Sequence, residues 1–332
     1  MTTWLVTGGT GFIGRALIDR LLAENASHRI RSFSLPGEPV PDEWKERVDV
    51  LHGDISRPAD VESVFDGVDC AIHLASLLGT GSYADHRSVT VEGTRNVLEA
   101  ALSCGSRVVV VSSIAVYGDF VRDRVCSEDQ RHGPHYGPYS LAKQEQEDLS
   151  NIFANERGLN CCIARPANVT GRGSLPWVTV VSAALAQKAP IIVDGGLGDA
   201  GLIHVKDVAS ALITLAEHGK RGNAYNVSAA MEVSWHRYFS DIANAMGVLL
   251  PEGASYELLE ALARRDEDPV RLVTPKEYRS IPLATLALIG SDNRFPNSRI
   301  RKETGWEPQV SYQETIEEIR RSLVPELSLI HI

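Results

Sequence analysis

Three residues in the middle of the chain carry the side chains that a proton-coupled redox reaction needs. Tyr139 and Lys143 stand four apart in Tyr139-Ser140-Leu141-Ala142-Lys143, ahead of the helix formers Gln144–Leu149. That spacing sets both side chains on one helix face. A free phenol with a pKa near ~10 is a poor base at neutral pH. An ammonium beside it favours the phenolate and makes Tyr139 a usable proton donor and acceptor. Ser113 lies 26 residues upstream, at the end of an apolar strand, where it can hydrogen-bond a substrate oxygen as hydride leaves or arrives. Tyr136 competes poorly for the role, because Ser140 rather than a cation follows it four residues later.

A carrier for that hydride is indicated near the start of the chain. Gly8-Gly9-Thr10-Gly11-Phe12-Ile13-Gly14 joins a strand-like run to a helix-like one, with Gly8, Gly11 and Gly14 spaced by three. One glycine permits the tight turn, another lets backbone N–H groups approach a pyrophosphate, and the last lets helix pack on strand. The pattern in this context reads as a dinucleotide loop. A carboxylate usually waits about twenty residues later for the ribose hydroxyls. Here Ser34 and Leu35 occupy the place and the nearest acid is Glu38. Nothing repels a 2′-phosphate, and Arg31, Ser32 and Ser34 are candidates to receive one. NAD and NADP both stay open as the cofactor.

The elements that must position these groups are read from periodicity. Thr3–Thr7, Arg29–Leu35, Val48–His52, Cys70–Leu74 and Arg107–Ser112 read as strands. Ile13, Leu17 and Leu21 mark the first helix; Val61–Phe65 lies on another, and Val89–Leu102 reads as a long one. Nearly pure valine in Arg107–Ser112 suits a parallel strand buried on both faces. The expected fold is α/β, a Rossmann-type doubly wound parallel sheet with a smaller, mixed C-terminal substrate domain. Residues 1–166 form the nucleotide-binding domain, and 202–228 return to it through Val205–His218 and Tyr225–Ser228. Residues 167–201 and 229–326 form the substrate-facing part. Residues 327–332 match the translation of a common sequencing-library adapter and are set aside.

Composition narrows the class further. The 332 residues are 43% hydrophobic and 23% charged, enough to bury a sizeable core. A formal net charge of −10 gives no electrostatic reason to bind nucleic acid or an anionic membrane. Trp4-Leu5-Val6 follows Met1 without a basic start, and no apolar run is long enough to span a bilayer. A cytoplasmic protein with a small-molecule substrate is expected, its five cysteines reduced and no metal bound. The adjacent Cys161 and Cys162 would point to opposite faces of a strand.

These residues resemble the extended short-chain dehydrogenase/reductase family, which includes NAD-dependent sugar-nucleotide epimerases and dehydratases and 3β-hydroxysteroid dehydrogenases. The likeness runs to about residue 320. Beyond the glycine loop (Gly8, Gly11, Phe12, Ile13, Gly14) and Ser34, it implies cofactor contacts from Asp54-Ile55, from Leu74-Ala75 within His73-Leu74-Ala75, and from Thr90. It implies further contacts from Ser112, Tyr139, Lys143 and Pro166. Ser113, Tyr139 and Lys143 match the catalytic residues, and Ser113, Tyr139 and Asn168 the substrate contacts. Ile203-His204-Val205-Lys206-Asp207 and Gly305-Trp306-Glu307-Pro308 match late landmarks, for which a structural role is expected at His204 and Trp306. A homodimer through the helices starting near Val89 and Tyr139 is also implied.

Departures from the family pattern set the functional expectation. Thr90 stands where Asn is usual, so one cofactor-side hydrogen bond is in question. Ser113-Ile114-Ala115 lacks the Asp-Glu pair with which sugar dehydratases eliminate water. Ala200-Gly201-Leu202 lacks the arginine that clamps a sugar diphosphate, and Leu175–Val193 is apolar with Lys188 its one charge. The leading expectation is an NAD(P)-dependent dehydrogenase or ketoreductase acting on an apolar, cyclic secondary alcohol or ketone. The alternative is a nucleoside-diphosphate-sugar epimerase with tightly held NAD. A non-catalytic sensor of nicotinamide redox state on the same fold is a third reading, disfavoured by the intact Ser113, Tyr139 and Lys143.

Overall fold

The computed structural model describes residues 2–24, 28–79, 81–266 and 281–323. Seven parallel strands form the main sheet: β1 (Thr3–Thr7), β2 (Arg29–Ser34), β3 (Val48–His52), β4 (Cys70–His73), β5 (Arg107–Val111), β6 (Cys161–Pro166) and, last in the chain, β9 (Ala224–Val227). Their order is β3-β2-β1-β4-β5-β6-β9. The order reverses between β1 and β4, so a crevice opens beyond the carboxyl ends of those strands, where open α/β sheets bind ligands.

Alternation along the strands feeds two cores. Trp4 and Val6 of β1 and Val109 and Val111 of β5 face α1 (Phe12–Glu24) and α7 (Val205–His218), which supply Leu17, Ile18, Leu21, Val208 and Leu212. Leu5, Val108 and Val110 face the other way, against α2 (Pro58–Val64), α4 (Gly93–Cys104) and α5 (Pro138–Asn155) through Val61, Val97, Leu98, Leu149 and Phe153. Cys162 lies in the first core and Cys161 in the second, the opposite-face arrangement expected of a strand. All five cysteines are free thiols.

A third core gathers Trp177, Leu185, Ile192, Trp235, Phe239, Ile289 and Ile319. It is built by α6 (Val180–Ala186), α8 (Trp235–Met246), α9 (Tyr256–Asp266), α10 (Leu283–Ile289) and α12 (Tyr312–Leu323). Helix α11 (Ser298–Thr304) instead joins the sheet's first core through Ile300. Trp235 stacks on Phe239 and meets Trp177 at a tilt, with centroids 5.3 and 5.0 Å apart.

Two elements differ from the periodicity reading. The helix placed at Val89–Leu102 starts earlier, at α3 (Tyr83–His86), and passes through a π-helical turn, Arg87–Glu92, into α4. Its start is fixed by a capping box in which Ser82 and Asp85 bond each other's backbone N–H, a signal outside the apolar pattern. Within 202–228, strand β8 (Leu202–His204) pairs with β7 (Asn168–Thr170) in a separate two-stranded parallel sheet, and the return to the main sheet comes through α7 and β9. The adapter-like residues 327–332 lie outside the described residues, as do 267–280 of the expected substrate part. Among the described residues no helix is long and apolar enough to cross a membrane, and no cluster of three His, Cys, Asp or Glu side chains could hold a metal.

Candidate active site

The glycine loop is shaped by contacts that only hydrogen can make. Gly8 has φ +69°, and a Cβ at Gly14 would stand 2.3 Å from Gly8 O and 2.6 Å from Gly9 O. Backbone cannot retreat as a side chain can, so Gly14 is what lets α1 start directly over the loop. Helix α1 begins at Phe12, so its first-turn N–H groups have no acceptor within the helix and suit a phosphate. These features fit a dinucleotide. Phe12 and Ile13 are half-buried, and Phe12 lies under Gly173, which brings the 171–174 loop to the phosphate loop.

The neighbouring segments lock onto the same turn. Leu74 N–H donates to Thr7 O at 3.2 Å, and Ala75 N–H donates to Thr7 Oγ1 at 3.2 Å. Asp54 closes a local turn, its Oδ1 accepting from Ser56 N–H at 2.8 Å. Ile55 packs on Gly93, where a Cβ would lie 2.7 Å from Ile55 Cδ1. Ser34 ends β2 beneath the loop, its Oγ accepting the Thr10 N–H at 3.3 Å. Pro166 closes β6, and Ser112 is buried at the end of β5.

Four of the residues considered for cofactor or substrate contact are drawn into the fold instead. Arg31 turns away from the nucleotide side, its Nη1 donating to Val64 O at 3.0 Å and to Asp66 O at 2.6 Å. Ser32 is fully buried under Gly9. Of the groups considered for a 2′-phosphate, only Ser34 therefore stays at the strand end. Thr90 is also fully buried, its hydroxyl accepting from Leu77 N–H at 3.3 Å, so it ties down the segment after β4. Asn168 is buried in β7 with its Nδ2 donating to Ala200 O at 2.7 Å, which joins β7 to the chain entering β8. His204 and Trp306 have the structural roles expected. His204 Nε2 pairs with Glu318 Oε1 at 3.2 Å and Trp306 Nε1 donates to Ser210 Oγ at 2.9 Å.

The serine and the tyrosine are clamped together by backbone crossings. Ser113 leaves β5 extended and caps the helical stretch Ile114–Arg122, its Oγ accepting from Ala115 N–H at 3.1 Å. Inside that stretch Gly118 has φ +52°, and a Cβ there would fall 2.0 Å from Pro134 O; one at Gly133 would fall 1.9 Å from Tyr117 O. The segment leading into α5 thus passes directly over the serine segment. From α5, Ser140 Oγ donates to Ala115 O at 2.7 Å, and Gln144 Nε2 donates to Val116 O at 3.0 Å and Gly133 O at 2.8 Å. Ser140 and Gln144 were not singled out in the sequence. Their spacing of four, one position on from Tyr139 and Lys143, is the signal that marks them as a companion stripe.

Tyr139 and Ser113 are brought together. Burial raises the phenol above its ordinary pKa, and the hydrogen bond with Ser113 opposes that rise. The expectation that the lysine makes the phenol acidic is therefore corrected. Lys143 Nζ sits 5.9 Å from the Tyr139 ring centroid and spends its hydrogen bonds on Val111 O and Gln146 Oε1, each at 2.9 Å. Burial pulls the lysine down to about 7, with Glu147 opposing. One turn further on, Glu147 accepts from Arg165 Nε at 2.9 Å and Nη2 at 2.6 Å and from His132 Nε2 at 3.0 Å. Burial alone would raise that carboxyl, but the Arg165 charge and the bonds it receives hold it down at about 2.

Comparison with known proteins agrees with this geometry. Residues 4–228 match the family described as the NAD dependent epimerase/dehydratase family. A 3beta-hydroxysteroid-dehydrogenase/decarboxylase of Arabidopsis thaliana is 26% identical over 94% of this chain and 77% of its own. A 4-hydroxy-2-methyl-3-oxo-4-farnesyl-3,4-dihydroquinoline-1-oxide ketoreductase of Stigmatella aurantiaca is 24% identical over 96% and 95%. A UDP-glucose 4-epimerase of Mycolicibacterium smegmatis is 28% identical over 94% and 95%. Among solved structures, a dTDP-glucose 4,6-dehydratase from Streptomyces venezuelae with NAD bound shares the fold at TM-score 0.76, with 21% identity and 97% of each chain covered. The chain belongs to the NAD dependent epimerase/dehydratase family and is an enzyme of the short-chain dehydrogenase/reductase type, using NAD or NADP.

Proposed function

We propose that this family member is an NAD(P)-dependent dehydrogenase or ketoreductase interconverting a secondary alcohol and a ketone on an apolar, cyclic substrate. The observation that carries the reading is the half-buried phenol of Tyr139 set against Ser113, with Lys143 one turn along the same helix. A phenol held protonated at neutral pH is an acid ready to give its proton to a carbonyl oxygen. When bound, the nicotinamide supplies the hydride in reduction and takes it in oxidation. Tyr139 protonates the oxygen in one direction and deprotonates the alcohol in the other. Ser113 orients that oxygen from the side of β5. Lys143 has three N–H groups and two are committed, so one is left to orient the phenol or the cofactor.

The apolar substrate class is supported by the surroundings of β7 and β8. Ala200 and Leu202 are buried where a diphosphate clamp would need a guanidinium. Leu175 and Val180, on the same apolar segment as the buried Trp177, stay 61% and 52% exposed, so apolar side chains stand open to solvent there. The steroid dehydrogenase and ketoreductase relatives act on such compounds by their names. Epimerisation of a nucleotide sugar is the second reading, favoured by the UDP-glucose 4-epimerase relative, which is covered over 95% of its length. The two differ in cofactor economy. A reductase consumes NAD(P)H in proportion to product, whereas an epimerase leaves its NAD unchanged overall. The test is a panel of bicyclic ketones with NADH and NADPH beside a panel of nucleotide sugars. No oxidation of either cofactor, with interconversion of a nucleotide sugar, rejects the proposal. Assembly as a homodimer through α4 and α5 belongs to the same reading and is checked by light scattering.

A further inference from the structure

Lys143 is 2% exposed and lies in the interior of the sheet's helical face, where an ammonium is costly unless its N–H groups find acceptors. One acceptor is backbone, Val111 O; the other is the side chain of Gln146. Behind Gln146 runs a closed line of buried polar groups. Gln146 Nε2 donates to Thr94 Oγ1 at 2.7 Å, His73 Nε2 is 2.9 Å from Thr94 Oγ1, and His73 Nδ1 is 2.7 Å from Thr7 Oγ1. Gln146, Thr94, His73 and Thr7 are all fully buried.

The direction of every bond in this line is determined. Thr94 donates its single hydroxyl proton to Thr90 O at 2.6 Å, so toward Gln146 and His73 it can only accept. His73 must then carry its proton on Nε2, and its bare Nδ1 accepts from the Thr7 hydroxyl. Burial and the nearby Lys143 hold His73 neutral, down at about 3. With its N–H₂ end committed to Thr94, the Gln146 amide has one orientation, and its oxygen faces Lys143. The line begins at Thr7, the residue before Gly8, whose Oγ1 also holds the Ala75 N–H.

We propose that Gln146 is a positioning residue for the catalytic lysine. In this assignment Thr7, His73 and Thr94 orient its amide so that a neutral acceptor, not a carboxylate, fixes the Lys143 ammonium and leaves one N–H free for the reacting groups. It rests on Lys143 serving Tyr139 as proposed above. The titratable and charged groups around Lys143 are Tyr139 and Glu147 on its own helix and His73 on β4; Arg165 on β6 pairs with Glu147, which is also hydrogen-bonded to His132.

The test reads the lysine directly in the cofactor-free protein. Lys143 is one of seven lysines, so its ε-carbon signal is resolvable in lysine-labelled protein by NMR and assignable by its loss in Lys143→Met. Gln146→Glu puts an anion beside the ammonium and should raise its titration midpoint by about one pH unit or more. Gln146→Met removes the acceptor and should lower it. Should Gln146→Met not fold, Thr94→Val frees the amide to turn and should give the same sign with a smaller shift. In turnover, the pH profile of kcat should move with the NMR midpoint while KM for the carbonyl stays within about twofold. A midpoint unmoved in Gln146→Glu and in Gln146→Met or Thr94→Val overturns the assignment, because a merely structural glutamine would change yield and not titration. Absence of turnover on every ketone would reject the functional reading alone and leave the NMR result standing.

Discussion

Replacing Glu147 with Gln separates the buried ion pair from the shape that holds it. The carboxylate is fully buried and takes two bonds from Arg165, itself 4% exposed, and one from His132. Glutamine keeps the volume and removes the charge, stranding a guanidinium in the interior. Breaking one side of a buried pair costs about 3–5 kcal/mol. The carboxyl itself gives a similar size: held at about 2 against an ordinary value of 4.5, at about 1.4 kcal/mol per unit, it stabilises by about 3 kcal/mol. Its folded value lies below its unfolded one, so this stabilisation is fully present above the unfolded value and is lost as the pH falls from there through about 2. Unfolding entropy near ~2.1 cal/mol/K per residue translates the loss into about 5 °C of Tm for a chain of 332 residues. Calorimetry at pH 7 should show that drop in Glu147→Gln, and the gap from wild type should narrow at pH values near 3. A Glu147→Leu, Arg165→Met double variant should recover most of it, because no charge is then stranded. A single-variant cost under about 1 kcal/mol, the size of an exposed pair, or a double variant as unstable as the single, would refute the reasoning.

Tyr139→Phe should fold and bind nucleotide as the native enzyme does while turnover falls about 10²–10⁴-fold; undiminished turnover on the native substrate would sink the proton-transfer role. Gly14→Ala, whose methyl would meet two backbone oxygens at 2.3 and 2.6 Å, should lose nucleotide binding. Gly11→Ala, with one contact at 3.2 Å, should retain more of it; both are read by fluorescence titration with NADH and NADPH. Ser34→Asp keeps an acceptor for Thr10 N–H and adds an anion at the ribose end, so the ratio of NADPH to NADH affinity should fall by about tenfold or more. Equal loss of both affinities would place Ser34 away from the 2′-position.

How much of this was legible in the sequence depends on the range of the interaction involved. The main sheet was readable because each strand's burial is written locally, as in the valines of β5, and because three glycines at fixed spacing can serve few backbone geometries. Ser113, Tyr139 and Lys143 were readable because helix spacing and strand ends predict where side chains point. The fates of Arg31 and Ser32 were not. Both sit on β2, and which of them reaches the nucleotide depends on the face each occupies: Arg31 is captured by carbonyls at the end of α2, and Ser32 is roofed by Gly9. The π-helical turn at Arg87–Glu92 was hidden for a similar reason, since its apolar positions fit an α-helix as well. Thr90 falls inside that turn, and its full burial follows from a geometry that periodicity cannot express.

The lysine's protonation was the least legible feature, and the reason is physical. From sequence, Lys143 beside Tyr139 reads as a fixed positive charge that acidifies the phenol. In the fold the ammonium is desolvated, its partners are neutral dipoles, and the anion that opposes the shift, Glu147, is already shared with Arg165 and His132. A carboxylate at position 146 would have kept the lysine charged throughout the physiological range. With an amide there, burial brings the lysine down to about 7, with Glu147 opposing. The groups that fix that amide reach back to Thr7 at the base of the glycine loop. Through this line, the backbone beside the glycine loop proposed to receive the nucleotide is hydrogen-bonded to the side chains around Lys143.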